Sequence, residues 1–242
     1  MLAHWRRLRA DPVIGPVLPA SITLGLAVGV FAISFGVGSV AAGASVAQTC
    51  VLSLLVFTGA SQFSAVSVIG AGGSIGSALG GALLLAARNG VYGLTMARLL
   101  PGRLSTRLLA AQFTIDETTA MAAMQDDPRA QRAAFWSTGI SLYVCWNLGT
   151  LIGALAGSAI DPKTFGLDAA FPAAYVAMVW PQLRSPRGRA AAAAGAAICL
   201  ALVPFTPIGV PILCAALAVL VGLPAPRDGA RLPRPVPDGV VP

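Results

Sequence analysis

The sequence has few charged residues and almost no histidine. Only 10% of its 242 residues are Asp, Glu, Lys or Arg, and His4 is the single histidine. A soluble domain of this size carries about a quarter charged residues, so the composition excludes an ordinary soluble enzyme and a disordered protein. The four cysteines form no Cys-x-x-Cys pair. We therefore predict neither a disulfide framework nor a metal site, and no cofactor.

Long uncharged runs dominate what is present. No Asp, Glu, Lys, Arg or His lies between Asp11 and Arg88. Because a membrane-spanning helix needs about 20 mostly apolar residues, this run alone holds two or three such segments. We predict an all-α fold, a polytopic transmembrane helical bundle of seven to eight membrane segments. Residues 13–223 form its single transmembrane domain, residues 1–12 a basic cytoplasmic segment, and residues 224–242 a disordered tail.

The basic residues carry topological information. The net charge is +7, and the arginines cluster at the ends of apolar runs. This placement is typical of signals that orient membrane segments. No basic and aromatic residues alternate in a stripe that could stack nucleic-acid bases, so we do not expect a nucleic-acid partner.

Charge counting orients one half of the chain better than the other. It places the C-terminal tail and the loops at 125–132 and 184–189 in the cytoplasm, and the loop at 158–168 outside. A cytoplasmic N-terminus followed by three spans would put the arginines at 98–107 outside. Three explanations stay open: the first three apolar segments cross only twice, segment 104–124 is re-entrant, or the charge rule fails. We expect broken or re-entrant helices in the N-terminal half.

The segment from about 46 to 69 contains an unusual polar interruption, FTGASQF at 57–63. One interpretation is a continuous helix whose hydroxyls bond to its own carbonyls and whose Gln62 bonds to a neighbour. The other is a broken helix that lines a cavity near the middle of the membrane. On the second interpretation Gly59, Ala60, Ser61 and Gln62 are the candidate substrate-binding residues.

Three charged residues lie inside apolar-leaning segments. Arg88 either extends to the membrane surface or pairs with a carboxylate. Asp116 and Glu117, in FTIDETTAM, either form a solvated acidic pair on a surface helix or a site for a proton or a substrate ammonium near Arg88. We take these three residues as a candidate coupling or ion-pair group. FTIDETT echoes FTGASQF, but the echo is too short to indicate a repeat.

The span at about 133–156 carries a ladder of small residues. Gly149, Gly153 and Gly157 form a double GxxxG pattern. Such a pattern lets two helix backbones approach closely, so we predict a structural helix-packing role for these glycines.

Taken together, these segments resemble the AzlC-type branched-chain amino acid permeases. The resemblance rests on PASITLGLAVGVFAISFGVG in the first span, FTGASQF, ARNGVYG around Arg88, FTIDETTAM, WNLGTLIGALAG at 146–157 and GLDAAFPAAYVA at 166–177. It covers about residues 13–223.

The resemblance implies a secondary transporter, not an enzyme, that exports valine, isoleucine, leucine and methionine from bacteria. It also implies a small AzlD-type membrane subunit, energy from the membrane potential or a proton gradient, and a multi-pass location in the inner membrane. Two other functions stay open: a non-transporting membrane scaffold subunit, and an intramembrane enzyme that uses the same carboxylates on a lipid.

Overall fold

The computed structural model describes residues 10–159, 173, 176 and 179–222, and the regular structure in these residues is helical. Three predicted features lie wholly or largely outside the described residues: the tail at 224–242, the basic N-terminal segment at 1–12 and the motif at 166–177. The helices are α1 Val17–Ala41, α2 Val46–Leu55, α3 Ala60–Gly70, α4 Ile75–Leu99, α5 Leu104–Phe113, α6 Asp116–Ala123, α7 Pro128–Ala159, α8 Pro186–Leu202, α9 Val210–Ala215 and α10 Val219–Gly222.

Helices α1 and α7 form a tightly packed parallel pair. Glycines on α7 lie against the α1 backbone, and a Cβ there would crowd it: Gly149 meets Gly29, Gly153 meets Ile33, and Gly157 meets Val37. The residue numbers rise together along both helices, so the two run in the same direction. Among the described residues, these two helices are long and apolar enough to cross a membrane by length and composition. The number of seven to eight segments stays a prediction.

The beginnings of α1 and α7 define what we call the basic end of the bundle, and their other ends define the far end. Asp11, just before α1, accepts a hydrogen bond from Arg129 Nη2 at 3.0 Å. Backbone N–H groups of the following turn, together with Arg129, hold the pKa of Asp11 below its ordinary value. Arg132 Nε donates to the Leu99 carbonyl at 3.1 Å, which brings the end of α4 to the same place.

Helices α2 and α3 form a re-entrant hairpin from the far end. The Thr49 hydroxyl, on α2, lies 2.8 Å from that of Ser39, near the end of α1. A Cβ on Gly70, the last residue of α3, would lie only 2.7 Å from the Ala42 Cβ. Both ends of segment 46–70 therefore lie at the far end, and the chain turns back between them without crossing.

Helices α5 and α6 form a second hairpin from the basic end. Helix α5 starts there, just after α4, and Gln112 Nε2 near its end reaches the Leu54 carbonyl of the first hairpin at 3.2 Å. Helix α6 then returns, since Ala122 borders the same surface cleft as Pro128 and Arg132. The segment expected at 104–124 is thus two short helices that enter and leave on one side.

The two hairpins belong to two units of opposite orientation. Helix α1 has 25 residues and is followed by the 10-residue α2; helix α4 has 25 residues and is followed by the 10-residue α5. Helix α1 runs from the basic end to the far end, and α4 runs back. Segments 17–70 and 75–123 therefore form an inverted repeat, an arrangement that secondary transporters use around a central binding site.

This topology removes the conflict in the charge pattern. Since both hairpins enter and leave on one side of the bundle, the first three apolar segments pass along it only twice, and segment 104–124 turns back on itself. These are the first two of the three explanations. Arg98 and Arg103 then lie at the basic end with Arg129 and Arg132, as the positions of α4 and α7 require.

Helices α8 and α9–α10 pack as an antiparallel pair in which Gly222 faces Ala191.

Candidate functional site

The tips of the two hairpins meet at one cavity of about 260 Å³ in the middle of the bundle. Pockets for drug-sized ligands have volumes of about 300–1,000 Å³, so this cavity suits a smaller molecule. Its wall combines the first tip, the second tip, one arginine and an apolar side from α1 and α7. The lining residues are Phe57, Thr58, Gly59, Ala60, Ile115, Asp116, Glu117, Arg88, Val28, Phe31, Leu142 and Trp146.

The first tip is a four-residue break between α2 and α3. Gly59 has φ +55° and ψ −90°, a conformation that a residue with a Cβ rarely adopts. The Gln62 side chain stabilises the turn: its Oε1 accepts from the Gly59 N–H at 3.2 Å, and its Nε2 donates to the Leu52 carbonyl at 3.3 Å. Gln62 thus satisfies the N–H of the N-cap residue Gly59, but Gly59 has no side chain to bond the N–H groups that follow it, and the positive end of the α3 dipole lies at the cavity beside Ala60.

The second tip is tighter and contains no glycine. Ile115 is extended, with φ −130° and ψ 175°. Thr118 Oγ1 accepts from the Ile115 N–H at 3.1 Å and lies 2.7 Å from the Phe113 carbonyl, to which it donates. Thr118 therefore has the position and role that Gln62 has in the first tip.

Asp116 and Glu117 start α6 at the cavity wall. Asp116 Oδ2 accepts a hydrogen bond from Arg88 Nη1 at 3.0 Å, and the two side chains are 42% and 37% exposed. Such partial exposure means that the pair is reachable from the cavity. When Arg88, Asp116 and Glu117 are all charged, the group has a net charge of −1. Arg88 forms its salt bridge with Asp116 and not with Glu117.

The part of the cavity wall that α1 and α7 contribute is aromatic and aliphatic. Phe31 lies 6.4 Å from Trp146, and Phe35 stacks behind Trp146 at 6.0 Å, between ring centroids. Phe35 is fully buried and Trp146 is 3% exposed, so this wall is held by the packing of α1 on α7. It adds an apolar surface to a cavity whose wall also carries the charged group.

The structure brings most of the predicted site residues together. Gly59 and Ala60 line the cavity, as do the three residues of the predicted ion-pair group. Ser61 and Gln62 are buried just behind the tip, and the Gln62 side chain is engaged within the hairpin. Of the two interpretations of segment 46–69, the structure agrees with the broken helix: the break lies between Leu55 and Ala60, and its residues line the cavity. The predicted packing glycines of α7 face α1, away from the charged wall.

Several residues of the cavity were not predicted from the sequence, although one sequence pattern pointed to those in the two tips. The echo of FTGASQF in FTIDETT marks equivalent positions of the two tips, with Phe57 corresponding to Phe113 and Thr58 to Thr114. The centroids of the two Phe rings lie 6.4 Å apart. The apolar lining residues Phe31 and Trp146 had no signal of their own, because an aromatic residue in a span usually indicates packing.

An inverted pair of re-entrant hairpins, in a strongly apolar chain whose described residues form helices, defines a membrane protein built around a central cavity. The family model described as AzlC protein matches residues 23–160. The chain belongs to the AzlC family, which is a family of transport proteins.

Similar proteins come from two bacteria. An uncharacterized membrane protein of Helicobacter pylori is 25% identical over 189 residues, covering 76% of this chain and 83% of that protein. The branched-chain amino acid transport protein AzlC of Bacillus subtilis is 24% identical over 234 residues, covering 94% of this chain and 89% of the relative. No solved structure matches the chain.

Proposed function

We propose that this protein is a secondary transporter that exports branched-chain amino acids, and methionine, across the inner membrane of a bacterium. The observation that carries the proposal is the chemistry of the cavity walls. An uncapped helix start, a carboxylate group and an aromatic wall surround one small volume, and an aliphatic amino acid has a carboxylate, an ammonium and an apolar side chain.

The substrate carboxylate binds at the first tip. Backbone N–H groups at the start of α3, beside Gly59 and Ala60, face the cavity at the positive end of the helix dipole. The substrate ammonium binds Glu117, because Arg88 already neutralises Asp116. The same carboxylates are the candidates to carry a coupled proton. The side chain lies against Phe31 and Trp146.

The inverted repeat supports alternating access. One hairpin leads from the far end to the cavity and the other leads from the basic end, so movement of one tip opens the cavity to one side only. The charge rule places the basic end in the cytoplasm. The proposal includes a small AzlD-type membrane subunit. This subunit and the surrounding lipid both contact the apolar outer faces of the helices.

The test is flux of labelled valine and leucine in proteoliposomes, with and without the small subunit. Hydrogen bonds to charged groups are worth about 1.5–3 kcal/mol, so we expect Asp116→Asn and Glu117→Gln each to lower the flux about tenfold or more. Asp126→Asn, an exposed loop carboxylate, is the matched control and keeps the flux of the parent chain.

Two outcomes would contradict the proposal. If both carboxylate variants keep valine efflux and its pH dependence, the role of the acidic pair is wrong. If neither amino acid moves with both subunits present, a non-transporting scaffold is the better account of the same cavity.

A further inference from the structure

A second cavity, of about 250 Å³, lies on the other side of the first tip. Phe57 and Thr58 line both cavities and form the partition between them. The polar residues on the second cavity are Thr58, Asn89, Gln112 and Thr114, and no charged side chain lines it. The volume is room for an ion with several water molecules, since a water occupies about 30 Å³ in the liquid.

Two oxygens at this cavity have no protein partner. Thr58 Oγ1 and Asn89 Oδ1 are buried atoms that make no hydrogen bond. A buried polar group without a partner costs about 1–3 kcal/mol, so such groups usually have a ligand, an ion or water. Here both belong to residues that line one cavity, and both can donate a lone pair.

The ends of two half-helices add negative potential at the same place. Helix α2 ends at Leu55 and helix α5 ends at Phe113, and residues of both ends line this cavity. The C-terminal end of a helix carries about half a negative charge. The last carbonyls of α2 are already hydrogen-bonded: Leu54 accepts from Gln112 Nε2 at 3.2 Å and Tyr143 Oη at 3.0 Å, and Leu55 accepts from Gln112 Nε2 at 3.3 Å. These carbonyls therefore add negative potential to the cavity without being free ligands.

The two cavities therefore have opposite polarity. The main cavity receives the starts of α3 and α6, and the second receives the ends of α2 and α5. Neutral oxygens without a carboxylate suit a monovalent cation, whereas Mg²⁺ and Ca²⁺ take carboxylate ligands. No titratable side chain lines the second cavity, so a bound proton is not its occupant.

We propose that this second cavity binds a monovalent alkali cation of the sodium class. Its protein ligands are Thr58 Oγ1 and Asn89 Oδ1, water completes the coordination, and the carbonyl ends of α2 and α5 add negative potential. Because Phe57 and Thr58 separate the two cavities, an ion on one side and a substrate on the other contact the same four-residue tip. This coupling rests on the proposed amino-acid transport, whereas the ion site itself does not.

The experiment measures thermal unfolding of the purified full chain without any amino acid, in sodium, lithium, potassium or choline chloride at equal ionic strength. Ion binding to the folded state raises the Tm as the ion concentration rises. We expect sodium to raise the Tm above that in choline. Thr58→Val abolishes the sodium shift and Thr58→Ser keeps it. Asn89→Ala provides a second loss variant if Thr58→Val does not fold.

The matched control is Thr119→Val. Thr119 Oγ1 is also a buried hydroxyl without a partner, but Thr119 lines neither cavity, so this variant keeps the sodium shift. Equal Tm values in sodium and choline overturn the proposal, as does a full sodium shift in Thr58→Val. The flux assay separates the two proposals: a sodium shift without valine transport refutes only the transport, and sodium-independent valine transport with no shift refutes only the ion site.

Discussion

The two hairpins have the same architecture and different chemistry. Both enter the bundle as a helix that ends near the middle, turn, and leave as a helix whose start faces the cavity. The first tip is uncharged and turns through Gly59; the second has no glycine and begins its return helix with Asp116 and Glu117.

The difference shows how an inverted repeat can bind an asymmetric molecule. Two identical tips would present two equal helix starts, which favour two anionic groups. Carboxylates at the second tip reverse its polarity while the fold of the hairpin is kept. The cavity then has an end for an anion and an end for a cation, as a zwitterion requires.

The largest expected effect tests whether the hairpins enter from opposite ends. In a background with the four cysteines replaced, we expect Ala41→Cys and Ala71→Cys to react with an impermeant maleimide from one side of the membrane. Gly102→Cys and Asp126→Cys react only from the other side. The result is close to all or none, because each residue is exposed at one end of the bundle. Labelling of the first two variants from opposite sides would mean that segment 46–70 crosses the membrane.

The positions of the helices were readable from the sequence, but their directions were not. The helix predicted to start at residue 46 starts there, and the polar interruption at Gly59 coincides with the break in the helix. The break was readable because a glycine and polar residues interrupt an apolar run. An apolar segment of this length is equally compatible with one crossing and with a hairpin. Only the contacts of its two ends with α1 decide between them.

The second break was harder to predict for a physical reason. Nothing in residues 113–116 forbids a helix, since no glycine or proline is present. The chain leaves the helix because Thr118 takes the Ile115 N–H and donates to the Phe113 carbonyl. Likewise, pairing of Arg88 with a carboxylate was one of two alternatives that the sequence left open, and the structure gives Asp116 as the partner. Trp146 joins the site only through the packing of α7 on α1.

A smaller effect tests whether the tips are stabilised in the same way. We expect Gln62→Met and Thr118→Val each to destabilise the fold by about 1–3 kcal/mol, because each leaves an N–H of its own tip unpaired, part-buried at Gly59 and buried at Ile115. Thermal unfolding measures this loss, with Thr119→Val as the control because its hydroxyl has no partner to lose. If one of the two variants is as stable as the control, the tips are not equivalent.

The smallest effect separates the backbone conformation of the first tip from its role in binding. Gly59 and Gly72 both have positive φ, 55° and 82°, and an added Cβ would meet nothing closer than 3.7 Å at Gly59 and nothing within 4 Å at Gly72. Gly59→Ala and Gly72→Ala should therefore each lower the free energy of unfolding by about 1 kcal/mol or more, from strain and not from a clash.

Only Gly59 lines the cavity, whereas Gly72 lies in the loop at the far end. We therefore expect Gly59→Ala to raise the half-saturating valine concentration in the flux assay and Gly72→Ala to leave it unchanged per folded protein. Equal half-saturation in the two variants would mean that the first tip does not contact the substrate. The carboxylates of the second tip would then have to hold the amino acid by its ammonium alone, and the contrast between the hairpins would concern folding instead of recognition.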